Sequence, residues 1–162
     1  MKKFELTTEF ITNVLGKKLF RIKALVEFGN VKAGELGGYV EKEGNVSQSG
    51  NAWVYDNAKV SGNAEVSGNA RVSGNAEVSG KAKVSGNADY ALVQGFGIKF
   101  RCTTFYRGKN KKIMVNCGCF HGDLEEFREQ VKETRSGKIE KEYLMIADLM
   151  EYHFASEDSS NE

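Results

Sequence analysis

From Val54 onward the chain aligns with itself every six residues, as VYDNAK, VSGNAE, VSGNAR, VSGNAE, VSGKAK and VSGNAD, ending at Asp89. No other feature restricts the fold as strongly, because a six-residue unit cannot bury a core alone and has to stack on its neighbours. An alanine and a valine recur two residues apart, from Ala58 and Val60 to Ala82 and Val84, with Ala88 closing the series. Positions two apart share one face of a strand, so Ala and Val point inward and the residue between them points to solvent. The Ser-Gly-Asn triplet then turns a corner, for which Gly and Asn tolerate positive φ. A strand of three and a corner of three make one side of a triangular coil, and a short parallel β-helix is the expected architecture.

Three sides give an 18-residue turn, which the outward positions can test. Taken 18 apart, Lys59 meets Glu77, Glu65 meets Lys83, Arg71 meets Asp89, and Trp53 meets Arg71 as a cation–π contact. Strict sign alternation would give opposite charges for any odd number of sides, so the pairing supports three sides without requiring them. Between Val46 and Val54 the spacing is eight, which places a bulge near Gln48-Ser49.

The stretch Leu36-Gly37-Gly38-Tyr39-Val40-Glu41, followed by Asn45-Val46-Ser47 and Gly50-Asn51-Ala52-Trp53-Val54, resembles phage and prophage proteins of the hexapeptide-repeat superfamily. That resemblance implies a left-handed parallel β-helix, often trimeric through its flat sides, and a mobile-element origin. It extends over residues 21–154, since CGCF, LEEF and KEYL near the C-terminus match the same proteins' terminal module. Relatives often carry a histidine after the Glu-Thr of the first helix end, where this chain has Arg135, so no role of that histidine carries over.

Four segments follow: an N-terminal β cap (1–30), the β-helix (31–95), a C-terminal α+β head (96–155) and an acidic, disordered tail (156–162). A coil of about three turns exposes unpaired backbone and apolar interior at both ends, so it needs caps. Alternation on either side of Gly16-Lys17-Lys18 predicts a hairpin for the first cap. In the head, residues 96–106 and 113–120 read as two strands, with Ile113, Val115, Cys117 and Cys119 on an apolar face. Two helices follow, the first capped by Asp123 with Glu126 and the second starting near Ile139, which gives a ββαα head.

Charge is nearly balanced, with 23 Lys and Arg against 22 Asp and Glu, which argues against a dedicated electrostatic nucleic-acid or membrane binder. No apolar run is long enough to span a bilayer, and Met1-Lys2-Lys3 leads into a polar alternating segment, so a cytoplasmic protein of the bacterial host, without membrane contact, is expected. Three cysteines form a poor disulfide framework and fit a reducing compartment.

The repeat carries no histidine, which excludes a three-histidine zinc anhydrase. A hexapeptide-repeat acyltransferase needs a histidine base, and only His121 and His153 are present, both in the head. Cys102, Cys117, Cys119 and His121 form a candidate Cys3His zinc set, although Cys-x-Cys-x-His lacks the usual knuckle turn. A Cys119–His121 nucleophilic pair lacks an identifiable orienting residue. No cofactor is implied. The binding surface expected from charge and aromatic content is Lys99, Arg101, Phe105, Arg107, Lys109, Lys111 and Lys112.

The function expected from these features is non-enzymatic: a homo-oligomer, trimer before dimer, whose heads bind and inhibit a host protein or ribonucleoprotein such as a nuclease complex. Two alternatives stand beside it, a sponge for a small nucleotide signal and the acyltransferase.

Overall fold

The computed structural model describes residues 2–155. The tail expected at 156–162, and the side chains of Ala88 and Lys109, lie outside the described residues. The chain begins with β1 (Phe4–Thr12) and β2 (Lys18–Ala24), an antiparallel hairpin, followed by β3 (Leu36–Val40). Six two-residue strands come from the repeats: β4 (Trp53–Val54), β5 (Lys59–Val60), β6 (Glu65–Val66), β7 (Arg71–Val72), β8 (Glu77–Val78) and β9 (Lys83–Val84). Then come β10 (Tyr90–Phe96), β11 (Arg101–Arg107), β12 (Ile113–Cys117), β13 (Phe120–Asp123), α1 (Leu124–Thr134) and α2 (Gly137–Phe154).

This architecture corrects the expectation of a short left-handed parallel β-helix with a hairpin cap and a ββαα head. The chain is mainly β, divided among several small sheets, with two C-terminal helices. The repeat strands fall into three sheets, two of them the two-stranded pairs β4–β7 and β6–β9. The third is five-stranded and mixed, in the order β1-β2-β3-β5-β8. It is mixed because β2 lies antiparallel to β3, while β3 runs parallel to β5. An unpaired strand edge recruits whatever backbone is near, and here the hairpin extends the sheet instead of closing an end.

Within the repeats the register is parallel at 18-residue spacing, with Trp53 opposite Arg71, Lys59 opposite Glu77 and Glu65 opposite Lys83. Ala58, Ala64, Ala70, Ala76 and Ala82 are fully buried beside the valines in one core. Only Lys59 and Glu77 form an ion pair, at 3.4 Å, among the described charge pairs expected there. Asp89 instead bonds Ser85 and pairs with Arg107 at 3.3 Å. Trp53, expected to stack on Arg71, is fully buried with its ring 5.8 Å from Phe4 and 5.2 Å from Phe28. The hairpin region has covered an outward position of the repeat and made it core. Gly37 is required under it, since a Cβ there would lie 2.7 Å from the indole ring. The bulge expected near Gln48 is used for the same attachment: Gln48 Oε1 accepts from the backbone N–H of Lys3 at 2.7 Å.

The segment after the repeats is four antiparallel strands, where two were expected. Tyr90 leaves the repeat to start β10, and residues 96–106 are broken by a turn in which Gly97 and Phe100 take φ of 80° and 52°. Gly118, at φ 60°, folds Cys117 back onto Phe120 and splits the second expected strand into β12 and β13. Asp123 caps α1 reciprocally with Glu126, at 2.8 and 3.0 Å, and α2 starts at Gly137. The four-stranded sheet has two packed faces. Tyr106 and Met114 face the repeat core, and Phe105 and Val115 pack with Phe127, Tyr143 and Ala147 of the helices. No helix among the described residues is long and apolar enough to cross a membrane.

Candidate functional site

The basic surface expected from sequence is largely taken apart. Phe105 is fully buried, 5.8 Å from the Phe127 ring. Arg107 pairs with Asp89 and lies 5.2 Å over the Phe154 ring, which locks the end of α2 to the sheet. Lys112 pairs with Asp123 at 2.8 Å, so it supports the α1 cap; the same bond and the Glu126 N–H hold the Asp123 carboxyl below its ordinary range. Lys99, Arg101 and Lys111 remain exposed. Arg101 and Arg107 occupy opposite ends of β11, with Arg101 in the cleft beside α1 and away from the basic turn.

The zinc set is divided by the sheet. Cys117 faces the helices beside Thr103, whose Oγ1 lies 3.1 Å from its Sγ. Cys102 is next to Thr103 in β11 and so faces the repeat, where burial pushes its thiol pKa up. Cys119 is exposed in the turn, and His121 sits on the repeat side opposite Asn116. The four side chains do not converge on one point.

What the fold does assemble is a groove of about 640 Å³. One wall is the hairpin tip, with Val14 and Leu15 (72% and 81% exposed), held in a turn by Asn13 Oδ1, which accepts from the Leu15 and Lys17 N–H groups. The opposite wall is the β12–β13 turn with Cys119, Phe120 and His121. The floor is the repeat corners at Ser61–Asn63 and Ser79–Gly80, with Lys59 and Glu77 between them.

Asn116 organises the chemistry of this floor. Its Nδ2 donates to the Glu77 carbonyl at 2.8 Å and to Ser79 Oγ at 3.1 Å, which fixes the orientation of the carboxamide. Its Oδ1 must then accept from His121 Nδ1–H, at 2.5 Å. In the neutral imidazole that contact selects the Nδ1–H tautomer, with Nε2 as the acceptor beside Gly80, 3.7 Å from where a Cβ would lie. Tyr106 Oη, 3.4 Å from Nδ1 and buried, forms the rear of the arrangement.

Sequence reasoning placed His121 in a metal set, in a nucleophilic pair with Cys119 and among the histidines open to an acyltransferase base, and missed Asn116, the residue that orients it. The signal was the period-two alternation of β12, which puts Met114 and Asn116 opposite Val115 and Cys117. Asparagine is depleted in strands, so one on a strand face turned to the repeats was a marker for a specific hydrogen bond. Neither a protein-family model nor a curated protein matches the chain.

Proposed function

We propose that the protein binds a nucleotide-sized small molecule in the groove between the hairpin tip and the β12–β13 turn, in the manner of a sequestering protein. The carrying observation is the groove itself: about 640 Å³, with apolar side chains on both walls at Val14, Leu15 and Phe120, and polar groups at Asn63 and Glu77 in the floor and His121 on the β12–β13 wall. Small-molecule sites have volumes of roughly 300–1,000 Å³, mostly apolar walls and a few fixed polar groups. His121 Nε2 supplies a pre-oriented acceptor, and a ring seated on Leu15 and Phe120 supplies the apolar term. Engagement of a host macromolecule through the basic turn is supported less, because Phe105, Arg107 and Lys112 are committed to internal contacts. Homo-oligomerisation, trimer before dimer, stays part of the proposal and predicts a light-scattering mass that is a multiple of 17.9 kDa.

Thermal-shift measurements against a panel of nucleosides, mononucleotides and dinucleotides test the groove, alongside mass spectrometry of small molecules released on denaturing protein purified from a bacterial lysate. A raised melting temperature with at least one compound is expected, lost in Leu15→Glu and kept in Lys99→Gln. A shift that survives Leu15→Glu, or no shift and no released molecule, would overturn the proposal. One observation favours a second reading, acyl transfer: the Asn116-held tautomer gives His121 Nε2 the form a general base needs. Retained coenzyme A in the released fraction would favour it.

A further inference from the structure

On the helix side of the same turn lies a smaller cleft, of about 130 Å³, that differs from the groove in charge. Its floor is apolar and aromatic, made by Phe127, Val131 and Tyr143, and its rim carries Arg101 and Arg135 with Gln130 and Thr134. Among the described residues no carboxylate lines it. Arg21, Arg107 and Arg128, which are less exposed than Arg71, Arg101 and Arg135, each have a carboxylate oxygen within 3.3 Å. Arg101 and Arg135 have none within 4.0 Å among the described residues. Both guanidinium groups are close enough to the Tyr143 hydroxyl to oppose the rise that burial imposes on its pKa, so their fields converge on the cleft.

The cleft is also shaped in advance by two glycines. A Cβ on Gly118 would lie 2.0 Å from Arg101 Nη1, so the guanidinium rests directly on the bare turn. A Cβ on Gly97 would lie 2.5 Å from Tyr143 Oη, which is fixed there by donating to the Phe96 carbonyl at 3.1 Å. Both glycines have positive φ, 60° and 80°, so side chains are disfavoured there on backbone grounds too. An opposing feature is the C-terminal end of α1, where Arg135 Nη1 already donates to the Thr134 carbonyl at 3.3 Å.

We propose that this cleft is an oxyanion site that takes a phosphate group, free or as the terminal group of a small monoester, between Arg101 and Arg135. Two guanidinium forks offer parallel N–H donors to phosphate oxygens, and two positive charges suit a dianion better than a single carboxylate. The aromatic floor accommodates the carbon next to a monoester oxygen. This site stands independently of the groove in its anchors, since Arg101 and Arg135 line only the cleft, although the turn at Gly118–Phe120 borders both.

The test is a titration of the full-length ¹⁵N-labelled chain with inorganic phosphate, phenyl phosphate and acetate at constant ionic strength, read at the Gly118 and Arg135 amides. Saturable shifts with both phosphates are expected, and weaker ones with acetate. Arg101→Gln and Arg135→Gln should each lower affinity about tenfold or more, from loss of charge-assisted hydrogen bonds. Arg71→Gln, at an exposed arginine outside the cleft, should leave it unchanged. Protection of wild-type Arg101 and Arg135, but not Arg71, from phenylglyoxal in the presence of phosphate gives a second readout that needs no variant. Non-saturating shifts, equal loss in Arg71→Gln, or uniform protection of all three arginines would overturn the proposal. Binding by phenyl phosphate alone would overturn its free-phosphate arm, and binding of acetate as tight as phosphate would overturn the preference for a dianion.

Discussion

In its first strands the repeat segment presents carbonyl oxygens, and the chain before it meets them with donors. Lys3 Nζ donates to Ala52 at 2.8 Å, Asn45 Nδ2 donates to Gly62 and Ala64 at 3.1 and 2.8 Å, and the Tyr39 N–H donates to Ala58. In its last strands the segment presents N–H groups, and acceptors from its own final repeat and from the sheet that follows meet them. Asn87 Oδ1 takes the Arg71 N–H at 2.8 Å, Tyr90 Oη that of Ser73, Thr104 Oγ1 that of Glu77 at 2.9 Å, and Asp89 Oδ2 that of Ser85. The difference follows from the ladder. Trp53, Lys59 and Glu65 all donate forward, to Ala70, Ala76 and Ala82, so a parallel stack has one acceptor end and one donor end. A cation and a carboxamide NH₂ belong at the first, and hydroxyls and a carboxylate at the second.

The largest expected effect lies between the ends, in the Val and Ala interior. Val72 is fully buried, and Val72→Asp should cost on the order of 4 kcal/mol or more, seen as loss of the cooperative melt. A variant melting within a degree or two of wild type would remove the Val and Ala interior as the basis of stability.

End polarity is tested by one substitution made twice. Asn45→Asp deletes two buried donations to carbonyls and should destabilise by about 3 kcal/mol, while Asn87→Asp keeps its acceptor and should change stability by less than about 1 kcal/mol. Equal losses in denaturant melts would break the comparison.

Alkaline pH separates the ends in a second way. Lys3 is buried with no carboxylate partner among the described residues, and desolvation lowers its pKa to about 8 from 10.5. Between those values the unfolded chain holds more protons, so this group makes stability rise with pH; below pH 8 the full desolvation cost is present. Tyr106, at the other end, has its pKa raised above 10 mainly by burial, so it lowers stability once pH passes 10. Against Lys3→Met, wild type should therefore gain relative stability from pH 8 to 10 in urea melts, and Tyr106→Phe should flatten the fall above pH 10. Parallel pH curves for wild type and Lys3→Met would refute the first statement.

The smallest effect belongs to the exposed flank. Lys59→Ala should cost less than about 1 kcal/mol, because its bond to Glu77 is solvent-accessible and screened by salt. A larger loss that persists in high salt would show that Lys59, in the groove floor, is held by more than this exposed ion pair.

Sequence alone determined what depends on local period. The six-residue spacing gave the inward Ala and Val positions and the 18-residue register, and Asp123 with Glu126 marked the start of α1, because each needs only neighbours along the chain or a strict repeat. Tertiary structure decided the rest. Whether Trp53 points to solvent depends on Phe4 and Phe28, which lie far from it in sequence. Whether residues 96–106 form one strand or a hairpin depends on two positive-φ residues, and one of them is Phe100, which no propensity marks. The basic turn read as a binding surface because charge is visible in sequence, whereas the Asp89 and Asp123 carboxylates that consume Arg107 and Lys112 arrive through sheet pairing. His121 acquired a defined tautomer only when Asn116 was pinned by the Glu77 carbonyl, a contact spanning 39 residues. Spacing reports which way a side chain points from its own backbone; what waits there is set by chain that folds in from elsewhere.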